Sequence, residues 1–168
     1  MTACRLCATT VLLQQQQSSL KQRQQLRVGP GERFASIGEA VAAALPGADI
    51  TVCGGCYPER LVLDKPLTIA AVPGELVKVS WSSSEPYQAA VEVLANGVTL
   101  RGLQVRHRSP SIANNAAVRV VGVDAMLEGL DVSSSTGSGV EVEGGAPRLV
   151  RCSAHDCERH GFAIFGAR

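Results

Sequence analysis

The chain has 168 residues, 45% hydrophobic and 18% charged, with 16 Lys+Arg against 15 Asp+Glu for a formal charge of +1. That is room for one domain, and the charge balance excludes nucleic-acid binding driven by bulk positive charge. No apolar run approaches the ~18–20 residues of a membrane-spanning helix. Aromatics make up only 4%, so aliphatic side chains and backbone pairing must carry the packing.

Residues 1–31 carry Arg5, Lys21, Arg23 and Arg27 and no acid; the first carboxylate is Glu32. Gln14 to Gln17, Gln22, Gln24 and Gln25 make the stretch polar and repetitive. It reads as a disordered tail, unable to bury enough apolar area to offset its ordering entropy. An acid-free, Arg-containing start also suits an organelle-targeting segment. A secretory signal fits less well, because the apolar run Ala8 to Leu13 passes at once into glutamines. The compartment is unspecified, with cytoplasm or nucleus favoured over secretion and organelle import as the alternative.

The domain is then expected over 32–168. Ser36 and Glu39 have the capping-box spacing. Ile37, Ala40, Val41, Ala44 and Leu45 follow at helical intervals until Pro46-Gly47, which predicts a helix over 36–45. Beyond Asp49 the period changes to two, in short pairs such as Ile50/Val52, Leu61/Leu63, Leu67/Ile69, Val77/Val79 and Val91/Val93. Gly, Pro, Asn and Asp punctuate them, as strands require.

Internal repeats decide how those strands are arranged. Val91, Val118, Val140 and Phe162 stand 27, 22 and 22 residues apart. Nine residues after the first three come Leu100, Leu127 and Leu149; twelve after come Leu103, Leu130 and Cys152; fourteen after come Val105, Val132 and Ala154. An earlier unit aligns Ile69 and Val72 with Leu100 and Leu103. Constant offsets across unequal loops suit stacked coils whose equivalent side chains form columns. The predicted fold is all-β: a right-handed parallel β-helix solenoid of about four to five coils, with an N-terminal capping α-helix. The helix covers an apolar end and an open sheet edge. Phe162 to Phe165 lack such a cover, so the domain reads as incomplete at its C-terminus, or as docking end to end on a partner.

Phe34 to Ile37, Glu39 to Val41, Pro46 to Ile50, Tyr57-Pro58-Glu59-Arg60 and Asp64-Lys65-Pro66-Leu67-Thr68 together resemble the opening of pectin-lyase-like β-helix proteins. The later repeats are similar to those of NosD-like proteins, of the carbohydrate-binding and sugar-hydrolase domain, and of β-helix F-box proteins. The resemblance covers about residues 32–168. It implies the fold more sharply than the activity, because that superfamily includes lyases, esterases, epimerases and non-catalytic binding domains.

Four loops precede the Val91-type strands and should share one corner of the solenoid: Ser82 to Gln88, Arg106 to Asn115, Ser133 to Ser138 and His155 to His160. Insertions gathered on one side of a solenoid commonly line its binding surface. The expected binding rim comprises Tyr87, Arg106, His107, Arg108, Asn114, Asn115, His155, Asp156, Glu158, Arg159 and His160. Catalytic residues are not identified. The resemblance implies paired aspartates in a pectin-methylesterase-like enzyme, and their later strand motifs have no match in these 168 residues.

Cys152, His155, Cys157 and His160 supply four soft ligands in a short segment. Cys152, however, shares the column of Leu103 and Leu130 and should point inward as a small hydrophobe. No metal or cofactor is expected. Cys53-Gly-Gly-Cys56 is weighed as a redox or disulfide pair, against the simpler reading of a turn. Gly144-Gly145 and Gly137-Ser138-Gly139 read as corners, not phosphate loops, since no Lys-Ser/Thr or following helix accompanies them. The leading expectation is a non-catalytic binding module for a protein or polysaccharide, without nucleic acid or membrane, on the F-box resemblance a substrate-recognition unit of a ubiquitin ligase. The alternative is a carbohydrate-active enzyme: a lyase, hydrolase or pectin-esterase-like protein.

Overall fold

The computed structural model describes residues 23–166. Alternating apolar residues there form sixteen short strands in three sheets. The first sheet stacks β1 (Gln25–Val28), β2 (Ala48–Val52), β5 (Leu67–Ala71), β8 (Val98–Arg101), β11 (Ala125–Glu128) and β14 (Arg148–Val150). The second stacks β4 (Leu61–Leu63), β7 (Ala89–Val93), β10 (Ala116–Val121), β13 (Ser138–Glu143) and β16 (Phe162–Phe165). The third stacks β3 (Gly55–Tyr57), β6 (Val77–Ser82), β9 (Leu103–Arg108), β12 (Asp131–Ser134) and β15 (Ser153–Cys157). Each named strand pair is parallel, and each circuit visits all three sheets: a parallel β-solenoid.

Register confirms the repeat arithmetic. Leu26, Ile50, Ile69, Leu100, Leu127 and Leu149 are successive ladder partners in the first sheet. Leu61, Val91, Val118, Val140 and Phe162 form the corresponding column in the second, and Val79, Val105, Val132 and Ala154 in the third. The central members of these columns are fully buried. A fully buried aliphatic side chain contributes about 1.5–3 kcal/mol relative to an exposed one, so the columns are the main stabilising feature of the domain.

Three boundaries differ from expectation. The six-stranded first sheet makes about six turns, not four to five, because β1 adds a rung. Residues 25–28 were expected in the tail, yet Leu26 and Val28 point inward while β1 pairs with β2 along its whole length. The surrounding glutamines had masked a two-residue alternation. Residues 1–22 of the expected tail lie outside the described residues. Val72 is also not the counterpart of Leu103: Val77 takes that rung, since the turn over 72–76 separates β5 from β6.

The helix α1 (Ile37–Ala43) is shorter than the expected 36–45 and begins with the expected capping box. Ser36 Oγ accepts from Glu39 N–H at 3.2 Å and Glu39 Oε2 accepts from Ser36 N–H at 3.4 Å. A seven-residue helix is too short to persist alone; the first coil clamps both ends. The Glu59 carboxylate accepts from Ile37 N–H at 2.8 Å and Gly38 N–H at 2.6 Å, and Lys65 Nζ donates to Ala44 O at 2.8 Å. Ile37, Ala40 and Val41 close the apolar interior. At the opposite end Phe162 is 42% and Ile164 59% exposed, whereas their rung partners Val140 and Val142 are buried.

Candidate functional site

Strand parity divides the expected rim into three groups. In β9, Leu103, Val105 and His107 face the interior while Gln104, Arg106 and Arg108 face out. The His107 side chain therefore points inward and is 1% exposed, bordering the groove from behind. The strand continues to Arg108, three residues into the segment expected to be a loop. His107 Nδ1 stands 3.1 Å from Ser134 Oγ, and burial lowers its pKa below the usual 6.5. His107 Nε2 and the neighbouring Trp81 Nε1 are buried without a partner among the described residues. Asn115 is also interior. Its Oδ1 accepts from Gln88 N–H at 3.0 Å and its Nδ2 donates to Ser111 O at 3.1 Å, which fixes two successive corners.

The second group does occupy the corner between the third and second sheets. Tyr87 is exposed, at φ 58°, and its carbonyl accepts from Arg119 Nη1. Arg159 donates to Asn114 Oδ1 and to Ile112 O, tying two loops together. Glu158 and His160 are exposed; their backbones join the ladder to Ser134 and Gly139. These residues hold corners and do not converge on one cavity.

The third group converges. Arg106, Arg108, His155 and Asp156 line a depression of about 710 Å³ on the outer face of the third sheet. Lys78, Ser80, Trp81, Ser82, His107, Ser133 and Ser135 complete it. Ser82, Ser133 and Ser135 belong to loops expected at the shared corner; Lys78, Ser80 and Trp81 were not anticipated, although stacking the repeats on Val79, Val105 and Val132 places their outward neighbours together. β6, β9, β12 and β15 contribute, and four rungs span about 14 Å.

Asp131 organises the centre. Arg106 Nη2 donates to Asp131 Oδ2 at 2.6 Å and Nη1 to Asp131 O at 2.7 Å. His155 Nε2 lies 2.9 Å from Asp131 Oδ1, and its Nδ1 lies 2.8 Å from Asp156 Oδ2. Burial alone would raise the Asp131 carboxyl. The hydrogen bond and charge of Arg106, then His155 and Ser153, outweigh it and hold the pKa below the ordinary carboxylate value. The result is an ionised carboxylate flanked by a guanidinium and an imidazole, in an otherwise hydroxyl-lined groove. Asp156 reaches this position through a positive φ of 49°, a backbone conformation that costs a non-glycine residue about 1 kcal/mol or more.

The Cys152, His155, Cys157 and His160 set does not converge. Cys152 packs against the core and its thiol faces Leu127 O, as its column implied. Cys157 Sγ faces His155 O, and burial raises its pKa. Cys53 and Cys56 are free thiols. Gly144 and Gly145 both turn corners at φ 75°; at Gly145 a Cβ would overlap the Val123 carbonyl.

Comparison with solved structures bears on the fold. A pectin methylesterase from Aspergillus niger, in deglycosylated form, superposes with a TM-score of 0.60 at 20% identity, over 84% of this chain and 59% of the enzyme. The chain has the pectin-lyase-like fold. A second structure of that enzyme, with an N-acetylglucosamine stub, matches with a TM-score of 0.49 at 16% identity, over 80% of this chain and again 59% of the enzyme. The pectin-lyase-like domain thus spans less than two thirds of the enzyme it resembles. No family model and no curated protein matches the sequence.

Proposed function

We propose that this chain binds an acidic polysaccharide along the outer face of the third sheet, as part of a carbohydrate-active protein. The observation that carries this is the groove itself: long, open, hydroxyl-lined and supplied with Lys78 and Arg108, neither of which has an ion-pair partner among the described residues. Alternating outward positions on parallel rungs repeat at about 4.8 Å, so a sugar chain lying across them meets a similar set of donors at each step. The fold is that of a pectin methylesterase, and pectin-like uronates have the charge that these cations would select. The adaptor reading of a ubiquitin ligase draws nothing from this site.

The test is calorimetric titration of the full chain with polygalacturonate and with neutral dextran. Polygalacturonate should bind in a salt-sensitive manner and dextran should not, and Lys78→Ala should weaken the former about five-fold or more, as loss of a charge-assisted contact does. Equal binding of both polymers would overturn the reading. Catalysis is a second reading, favoured by the ionised Asp131 with Asp156 across the His155 ring. Two carboxylates serving one site suit acid–base work on a glycan or its esters. Methanol release from methyl-esterified polygalacturonate, abolished by Asp131→Asn, would support it; no release from the full chain would reject it.

A further inference from the structure

The β6–β9–β12 end of the groove differs from its centre. Here Ser82 and Arg108 are rung partners, and Ser135 follows on the next rung, its N–H donating to His107 O at 3.1 Å. A second depression of about 480 Å³ opens at this point, lined by Ser82, Ser83, Ser84, Arg108, Ser109 and Ser135 with Pro110. No carboxylate lines it. Arg106 is held by Asp131, whereas Arg108 is exposed and makes no ion pair among the described residues.

Ser135 Oγ is already engaged, accepting from Ser109 N–H at 3.1 Å and donating to Ser109 O at 3.4 Å, but the other serines are placed to donate. Ser83 Oγ accepts from Glu85 N–H at 3.0 Å and Ser109 Oγ accepts from Ser111 N–H at 3.0 Å, so each retains its own O–H for another acceptor. Ser82 and Ser84 are exposed. The subsite therefore offers one fixed positive charge and hydroxyl donors from neighbouring rungs, with no carboxylate in its own lining. A planar carboxylate meets a guanidinium in a two-point fork and leaves donors on the flanking rungs unused. A tetrahedral oxyanion presents three terminal oxygens and can take up, beside Arg108, the hydroxyl donors of Ser82 to Ser84 and of Ser109. One guanidinium balances a single negative charge, that of a sulfate monoester, better than the near-double charge of a phosphate monoester at neutral pH.

We infer that this serine-rich end is a subsite for the sulfate ester of a sulfated glycan, bound in the same groove. The inference rests on the polysaccharide reading above and narrows it. Four probes separate the two: dextran sulfate, polygalacturonate, inorganic sulfate and inorganic phosphate, each titrated into the full chain and into Arg108→Ala. Dextran sulfate should bind the native chain, and Arg108→Ala should weaken it about ten-fold or more, while polygalacturonate, which keeps Lys78, should be weakened no more than about three-fold. Inorganic sulfate should compete with dextran sulfate and shift the amide resonances of Ser82 and Ser135. Arg101→Ala, a charge removal on the first sheet, should change nothing and controls for net charge.

Equal losses for both polymers in Arg108→Ala would overturn the inference, because Arg108 would then be a general cation of the groove. Tighter competition by phosphate than by sulfate would overturn the choice of sulfate. Dextran sulfate binding dependent on Arg108, with no polygalacturonate binding, would sustain the subsite and reject uronate as the groove's ligand. No effect of Arg108→Ala on any anionic probe would reject the subsite, whatever polygalacturonate does.

Discussion

The outer faces of the second and third sheets use similar charged residues to different ends. On the second, Glu92, Arg119 and Glu141 are successive rung partners. Arg60 joins Glu92 at 2.7 Å, and Arg119 joins Glu141 at 3.0 Å and Glu143 at 3.3 Å. The corner loops close over this file, with the Tyr87 and Asn114 carbonyls accepting from Arg119. On the third, Arg106 alone is neutralised by a rung neighbour, while Lys78 and Arg108 look onto hydroxyls. The same residue types are thus structural where a neighbouring rung supplies the opposite sign and a loop excludes water. They are available for ligands where the neighbouring rungs supply serine.

Removing the arginine on each face is the sharpest way to break that contrast. Arg119→Ala leaves the buried Glu141 unpaired and should destabilise the fold by about 3–5 kcal/mol at neutral pH, read by urea unfolding. Burial, then a hydrogen bond with Glu143, already raises Glu141, so the loss should shrink at pH 5 as the orphaned carboxyl takes a proton. A cost below about 1 kcal/mol, the range of exposed pairs, would make the two faces equivalent.

His107 is of intermediate effect and lies behind the groove, beside Trp81 and Ser134. Its folded-state pKa is lowered by burial, so the unfolded chain binds the proton more readily and stability falls as pH drops below the ordinary value of 6.5. His107→Gln should flatten the difference in unfolding free energy between pH 7 and pH 5. Parallel profiles for the two proteins would mean that His107 does not titrate in this window. Arg108→Ala should have the smallest effect, within about 0.5 kcal/mol of the native chain, since nothing folded depends on its charge. A melting point lowered as far as that of Arg119→Ala would turn this face into scaffold as well.

Much of the architecture was legible. A side chain that recurs at fixed offsets from Val91, Val118 and Val140 has one cheap arrangement, the parallel column, because hydrophobic burial and backbone pairing are then satisfied together. The capping box at Ser36 and Glu39 is similarly local, and its geometry follows from a hydroxyl and a carboxylate three residues apart. Leu26 and Val28 escaped because two inward residues among glutamines form too short an alternation to stand out; only β2 alongside makes them a strand. His107 escaped because charged neighbours on both sides, Arg106 and Arg108, disguise the inward half of a period-two pattern.

The sequence by itself determined the columns, the cap and the length of each turn, since these depend on which residues alternate and how often the alternation returns. Only the tertiary structure decided which polar residues meet. Lys78, Arg106, Asp131 and His155 are spread over nearly eighty positions of chain, and it is the register of four rungs that makes them one surface. Register also sets each arginine's neighbour, and the neighbour decides whether its charge is consumed in folding or left to meet a ligand.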